Sequence, residues 1–158
     1  MNYYGKREAV FASTNGVAYE IYLTNCNNGK GYCDGCHSPH LWEKDQGKLI
    51  DEEFYEKMID YMGNKEWQFD NIAILGGEPL DNPKEEILDF AERMKIFNKP
   101  LWLYTHFELD EINEEIKQVF DYIKTGKYDV TKLDDDHRSY GIYLMSRNQK
   151  INKKGVDY

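Results

Sequence analysis

Asn71-Ile-Ala-Ile-Leu-Gly-Gly-Glu-Pro-Leu-Asp-Asn-Pro-Lys-Glu85 decides how this chain folds. Asn71–Leu75 is a short apolar run closed by glycines, the pattern of a buried strand. Gly76-Gly77 stops it. Asn82-Pro83-Lys84-Glu85 then opens a helix, with a capping Asn, a Pro at the first helical position and a Glu following. Ile87, Phe90, Ala91, Met94 and Phe97 recur at helical spacing and form the buried stripe of that helix. Strand, turn and helix in one stretch make half of a βαβ unit.

The same alternation extends in both directions. Upstream, Asp51 caps a helix from Glu52 to Met62, with Phe54, Met58, Tyr61 and Met62 in register. Before it, Ala18–Thr24 reads as a strand. Thr14-Asn15-Gly16 is a turn signal that would pair that strand with Glu8–Ser13 in a hairpin. Downstream, Pro100–Tyr104 reads as a strand, Glu108–Lys117 as a helix, and Val119–Lys124 and Tyr140–Met145 as further strands. Alternating strands and helices predict parallel βαβ units with right-handed crossovers. A complete eight-fold barrel takes about 250 residues, and this chain has 158. The expected fold class is therefore α/β: a partial, open (β/α) barrel with a mostly parallel, curved sheet, in a single domain over residues 1–158.

The bulk properties remove several classes of function. Net charge is −9, and no basic patch of the kind nucleic-acid binders carry stands out. Arg147, Lys150, Lys153 and Lys154 read as a solvated basic tail, and Asp134-Asp135-Asp136 as a loop surface. Mean hydropathy is −0.80, and no apolar run approaches the roughly 20 residues that span a bilayer. The N-terminal residues lack the apolar core of a secretory signal. The expected location is the cytoplasm, with neither nucleic acid nor membrane as a partner.

The chemistry is concentrated in three cysteines, Cys26, Cys33 and Cys36, the only ones in the chain. An odd, clustered set in a cytosolic chain marks a metal site rather than a disulfide framework. Three thiolates can hold three irons of a four-iron cluster and leave the fourth open. They can also join His40 in a Cys3His set for tetrahedral zinc, so both metals stay open on the cysteines alone. In parallel α/β folds, sites form at the carboxyl ends of strands. Three strands here end in the cysteine loop, in Gly76-Gly77-Glu78-Pro79 and in Thr105-His106, and parallel pairing would bring those ends to one rim. Gly76 and Gly77 would let backbone approach a ligand, and Glu78 could accept from an ammonium group. His37 could line a pocket beside the last cysteine, and Trp42 reads as a lid or core residue.

The cysteine loop followed by Gly76-Gly77-Glu78-Pro79 resembles the radical S-adenosylmethionine superfamily. Cys33-Asp-Gly-Cys36-His-Ser-Pro, Trp102-Leu-Tyr-Thr-His-Phe-Glu-Leu-Asp-Glu-Ile112, Tyr122-Ile-Lys-Thr-Gly-Lys-Tyr128 and Ser146-Arg-Asn-Gln149 resemble one branch of it, the anaerobic ribonucleoside-triphosphate reductase activating proteins. The resemblance covers roughly Ala9 to Ile151. It implies a [4Fe-4S] cluster on Cys26, Cys33 and Cys36, with S-adenosyl-L-methionine at the open iron. Gly35, Cys36 and His37 would lie against that cofactor, Gly76, Gly77 and Glu78 would hold its methionine end, and Asn148 would line the pocket or the partner surface. Reduction by a low-potential donor such as flavodoxin or ferredoxin would produce a 5′-deoxyadenosyl radical, which would take hydrogen from a glycine of the large reductase subunit. The chain departs from the branch at two points. Six residues, Asn27–Tyr32, separate the first two cysteines where the family has three, and Gly16-Val-Ala-Tyr19 lacks the Arg that often follows the N-terminal Gly turn. Two alternatives stand beside this expectation: another small radical enzyme, such as a 7-carboxy-7-deazaguanine synthase-like protein, and a non-enzymatic Cys3His zinc module.

Overall fold

The computed structural model describes residues 1–9, 12–13, 16–26, 32–63 and 69–158. Its strands are β1 (Asn2–Ala9), β2 (Ala18–Leu23), β3 (Lys48–Leu49), β4 (Asn71–Gly76), β5 (Leu101–Tyr104), β6 (Tyr122–Thr125), β7 (Arg138–Ser139), β8 (Ile142–Tyr143) and β9 (Lys150–Lys153). Three α-helices are interleaved: α1 (Glu52–Gly63), α2 (Lys84–Met94) and α3 (Glu114–Val119). Seven strands form one sheet in the order β3-β1-β2-β4-β5-β6-β9, while β7 and β8 make a separate hairpin.

The expectation of a partial (β/α) barrel with a mostly parallel sheet is overturned. The sheet is mixed: β2-β4, β4-β5 and β5-β6 pair in parallel, whereas β1-β2, β1-β3 and β6-β9 pair antiparallel. It is open, ending on β3 and β9. The connections explain why. Parallel addition of a strand needs a crossover that carries the chain back over the sheet, usually a helix. Helices α1, α2 and α3 provide three such crossovers. Between β6 and β9 the described elements are a 3-10 turn and the β7-β8 hairpin, so the chain returns alongside β6 in the opposite sense. The supposed basic tail is therefore an edge strand, with Ile151 and Asn152 buried. The N-terminal hairpin exists but pairs Tyr3–Ala9 with Ala18–Leu23. Of its expected turn, Thr14 and Asn15 lie outside the described residues, as do residues 10–11 of its first arm.

One face of the sheet carries the main core. Ile21, Leu23, Ile72, Ile74, Leu101, Leu103 and Ile123 meet Phe54 and Met58 of α1, Ile87, Phe90 and Met94 of α2, and Ile116 of α3. Asp51 caps α1 through Oδ1, which accepts from Phe54 N at 3.0 Å. The expected helix at Glu108–Lys117 splits into a 3-10 turn, Leu109–Glu111, and α3. Asn113 accepts from Glu115 N at 2.9 Å and caps α3. The other face carries Ala18, Ala73 and Trp102, half covered by Ile142 and Leu144 from the region of the β7-β8 hairpin. What remains open on that face, toward the strand carboxyl ends, is the cavity described next.

Candidate functional site

Parallel strands β2, β4 and β5 are neighbours in register, with Leu23 opposite Gly76 and Ile74 opposite Leu103. Their carboxyl ends therefore share one rim, as the sequence predicts. A cavity at that rim is lined by Cys26, Cys33, Cys36, His37, Trp42, Gly76, Gly77, Glu78, Thr105 and His106. Gly35 and Asn148 are not among its lining residues. Gly35 is exposed at a left-handed turn, φ +69°. Asn148 turns away to donate from Nδ2 to the Lys127 carbonyl at 2.7 Å, and its neighbour Gln149 lines the cavity instead.

The glycine turn serves a close approach between chains. A Cβ on Gly77 would lie 2.4 Å from the Asn25 carbonyl oxygen, and one on Gly76, at φ +113°, would lie 2.7 Å from that of Leu23. The chain leading into Cys26 lies directly on the turn, tied by Gly77 N to Leu23 O at 2.9 Å and Glu78 N to Asn25 O at 2.6 Å. Asn25 itself sits at φ +86°, a left-handed conformation that asparagine adopts more readily than most residues. Its Nδ2 donates to Asp81 O at 2.9 Å, and its backbone N donates to Leu41 O at 2.9 Å. Asn25 thus joins the cysteine loop to the glycine turn. Sequence reasoning missed it, although an Asn immediately before the first cysteine of the cluster motif is the available signal.

Glu78 is 1% exposed, and internal partners already occupy it. Its Oε1 accepts from Leu80 N at 3.0 Å and Thr105 Oγ1 at 2.7 Å, and its Oε2 accepts from His106 N at 2.7 Å. The carboxylate ties the end of β4 to the end of β5. Burial, with Asp81 adding, pushes the carboxyl from the ordinary 4.5 up to about 7, despite the hydrogen bonds that favour its charge. A carboxyl raised in this way binds its proton more tightly in the folded chain than in the unfolded one. Its contribution to stability is complete below the unfolded pKa and is lost as pH rises through the folded one. The metal-free protein should lose about 3 kcal/mol from this group between pH 4.5 and about 7. Thermal melts across that window check this, and Glu78→Gln should flatten the slope; an unchanged slope would contradict it.

All three cysteines are free thiols. Burial pushes Cys26 up to about 12, with Glu78 and Asp81 adding. Burial also raises Cys33, opposed by Lys127, a backbone hydrogen bond from Tyr128, and Lys124. A metal must therefore displace protons on binding here. Among the described residues, no three or more His, Cys, Asp and Glu side chains are grouped to hold one metal ion. His40, which the zinc alternative requires, packs edge-on against Tyr4 at 5.0 Å between ring centroids and does not line the cavity. Three thiolates around one cavity are a donor set that fits a four-iron cluster, with one thiolate to each of three irons.

Lys124 carries no signal in the sequence, because a lysine in a strand looks like a surface residue. It is buried, lines the cavity, and donates from Nζ to the Gly126 carbonyl at 2.7 Å. Burial lowers its ammonium to about 8. Trp42 is stacked on Tyr32 at 3.8 Å, with ring planes 9° apart. His37 lies 5.3 Å from the ring of Tyr128. No described helix is long and apolar enough to cross a membrane.

Known proteins share this arrangement of sequence. The chain is 24% identical to an anaerobic ribonucleoside-triphosphate reductase-activating protein of Haemophilus influenzae over 97% of this chain and 98% of that one. It is 25% identical to the protein of the same name in Escherichia coli over 96% and 97%, and 21% identical to that of Vibrio cholerae over 78% and 79%. A family model described as a 4Fe-4S single cluster domain matches residues 12–152. That match takes in the cysteine loop, the glycine turn, every strand from β2 to β8 and all but the last residue of β9, and the chain belongs to this 4Fe-4S single cluster domain family.

Proposed function

We propose that this chain is a radical S-adenosylmethionine activase that installs a glycyl radical on the large subunit of an anaerobic ribonucleoside-triphosphate reductase. The observation that carries the reading is the convergence of Cys26, Cys33 and Cys36 with Gly76-Gly77 around one cavity at the ends of adjacent parallel strands. When bound there, the cluster and S-adenosylmethionine supply a 5′-deoxyadenosyl radical that removes a hydrogen atom from a glycine Cα, giving 5′-deoxyadenosine and a glycyl radical.

The protein's part is to bind and to place. Cys26, Cys33 and Cys36 would hold the cluster, one thiolate to each of three irons. Gly76 and Gly77, which line the cavity, would present backbone polar groups to the methionine ammonium group, and Glu78 positions Thr105 and His106 beside them. His37 flanks the cofactor from the cysteine loop. Lys124, a buried cation lining the cavity, would pair with the methionine carboxylate. A charge-assisted hydrogen bond contributes about 1.5–3 kcal/mol, so Lys124→Met should raise the KM for S-adenosylmethionine by about 10- to 100-fold, read from initial rates of 5′-deoxyadenosine formation. Gly35 and Asn148, outside the cavity, belong to the surface that meets the reductase. The whole chain, 1–158, works as one radical domain in the cytoplasm, with reducing equivalents from a donor such as flavodoxin or ferredoxin.

The test is anaerobic reconstitution with iron and sulfide, followed by dithionite and S-adenosylmethionine. Formation of 5′-deoxyadenosine, and a glycyl radical signal by electron paramagnetic resonance when the matching reductase is added, are the expected results. An intact cluster that yields no 5′-deoxyadenosine would sink the reading. Cleavage without a glycyl radical would point to a small-molecule substrate.

A further inference from the structure

Beside Lys124, its register partner Tyr104 on β5 and Tyr22 on β2 bring two phenols to the cavity wall, with a buried carboxylate behind them, and the cofactor chemistry above has no use for these groups. Glu20 is 1% exposed in the middle of β2. Its Oε2 accepts from Arg7 Nε of β1 at 2.8 Å and from the Tyr22 hydroxyl. Tyr22 and Tyr104 both line the cavity. The Tyr104 hydroxyl is buried and has no hydrogen-bond partner among the described residues. Burial, followed by the nearby Glu20 and Tyr22, pushes its phenol pKa up, so the group is a fully protonated donor.

A buried donor without an acceptor is costly and rare in folded proteins. One that lines a ligand cavity is explained if the ligand brings the acceptor. The proposed substrate fixes which acceptor that is. Glycine has no side chain, so a segment centred on it is recognised through its peptide groups, and every peptide carbonyl is an acceptor. The cavity has the matching donor in Tyr104, whose phenol feels the charge of Glu20, a carboxylate held in place by Arg7 and Tyr22.

We propose that the Tyr104 hydroxyl, supported by the Arg7–Glu20–Tyr22 network, binds a peptide carbonyl flanking the target glycine and so determines which segment faces the radical. This rests on the glycyl-radical reading above. Tyr104 is on this account a specificity-determining residue for the protein substrate.

The test uses the full chain, reconstituted, with the matching reductase, and reads the number of glycyl radicals formed per 5′-deoxyadenosine. Tyr104→Phe should lower that ratio about tenfold, the value of one hydrogen bond, without lowering the melting temperature, because it removes a hydroxyl that has no partner. Tyr22→Phe, which loosens Glu20, should lower the ratio as well. An unchanged ratio in Tyr104→Phe would overturn the proposal. So would a matching rise in the KM for S-adenosylmethionine measured without reductase, which would place the phenol on the nucleoside. Wild-type protein that makes no 5′-deoxyadenosine would overturn the parent reading and this inference with it.

Discussion

Cys33→Ala should abolish both the iron–sulfur cluster and the formation of 5′-deoxyadenosine. In the proposed cluster, each of three irons depends on one thiolate, and the chain has no spare cysteine to substitute. His37, although it lines the same cavity, is a harder nitrogen donor and a poor replacement for thiolate at iron–sulfur clusters. Activity should fall by about 10³-fold or more, equivalent to roughly 4 kcal/mol of transition-state stabilisation. The metal-free variant should nonetheless fold. Cys33 is only partly buried, outside both apolar clusters, so its removal leaves no large void. Iron and sulfide content, the visible absorption of the reconstituted protein, and product formation check the first part; circular dichroism checks the second. A Cys33→Ala protein that keeps a full cluster and normal turnover would show that the cysteine is not a ligand.

Gly77→Ala should be strongly damaging at this site. The new Cβ would lie 2.4 Å from the Asn25 carbonyl oxygen and 3.1 Å from that of Leu41. Neither oxygen is free to retreat: Asn25 O accepts from Glu78 N, and Leu41 O accepts from Asn25 N. The clash therefore pushes the cysteine loop away from the end of β4. Overpacking of this kind costs about 1–3 kcal/mol, or roughly 2–10 °C in melting temperature for a chain of this size. The larger effect falls on the site, because the same shift separates Cys26 from the glycine turn. Iron incorporation should drop several-fold, and S-adenosylmethionine cleavage should drop further. Gly5→Ala, whose Cβ would meet nothing within 4 Å, is the control. A Gly77→Ala protein indistinguishable from wild type would mean that the loop and the turn are not held as closely as described.

What sequence reading captured and what it missed follow from range. The β4–turn–α2 unit was legible because each of its signals is local: an apolar run, two glycines, an Asn-Pro start and a stripe at helical spacing. Helix α1 was legible for the same reason, through Asp51 and its apolar register. The convergence of the cysteine loop, the glycine turn and Thr105-His106 followed from parallel pairing alone. The direction of the outer strands was not legible, because it depends on what the connections carry rather than on the strands themselves. Lys150–Lys153 sets two lysines around Ile151 and Asn152, a pattern that describes an exposed tail and a sheet edge equally well. Within the site, side chains that act at short range in sequence were found, while those supplied from across the sheet were not. Lys124 and Tyr104 sit opposite one another on β6 and β5, and only the register shows that both face the cavity. Glu78 was assigned to the ligand, but its neighbours Thr105 and His106, 27 and 28 residues along the chain, already occupy it. The spacer that lengthens the cysteine motif, Asn27–Tyr32, falls outside the described residues except for Tyr32.

The central claim is that three thiolates leave one iron open beside the glycine turn for S-adenosylmethionine. The most direct measurement is electron–nuclear double resonance on the reduced, reconstituted protein, using S-adenosylmethionine labelled with nitrogen-15 at the amine and oxygen-17 at the carboxylate. Hyperfine coupling of both labels to the cluster, absent in a Cys36→Ala protein, is the predicted result. A cluster whose signal is untouched by the labelled cofactor, or a protein that takes up one zinc and no iron, would contradict it.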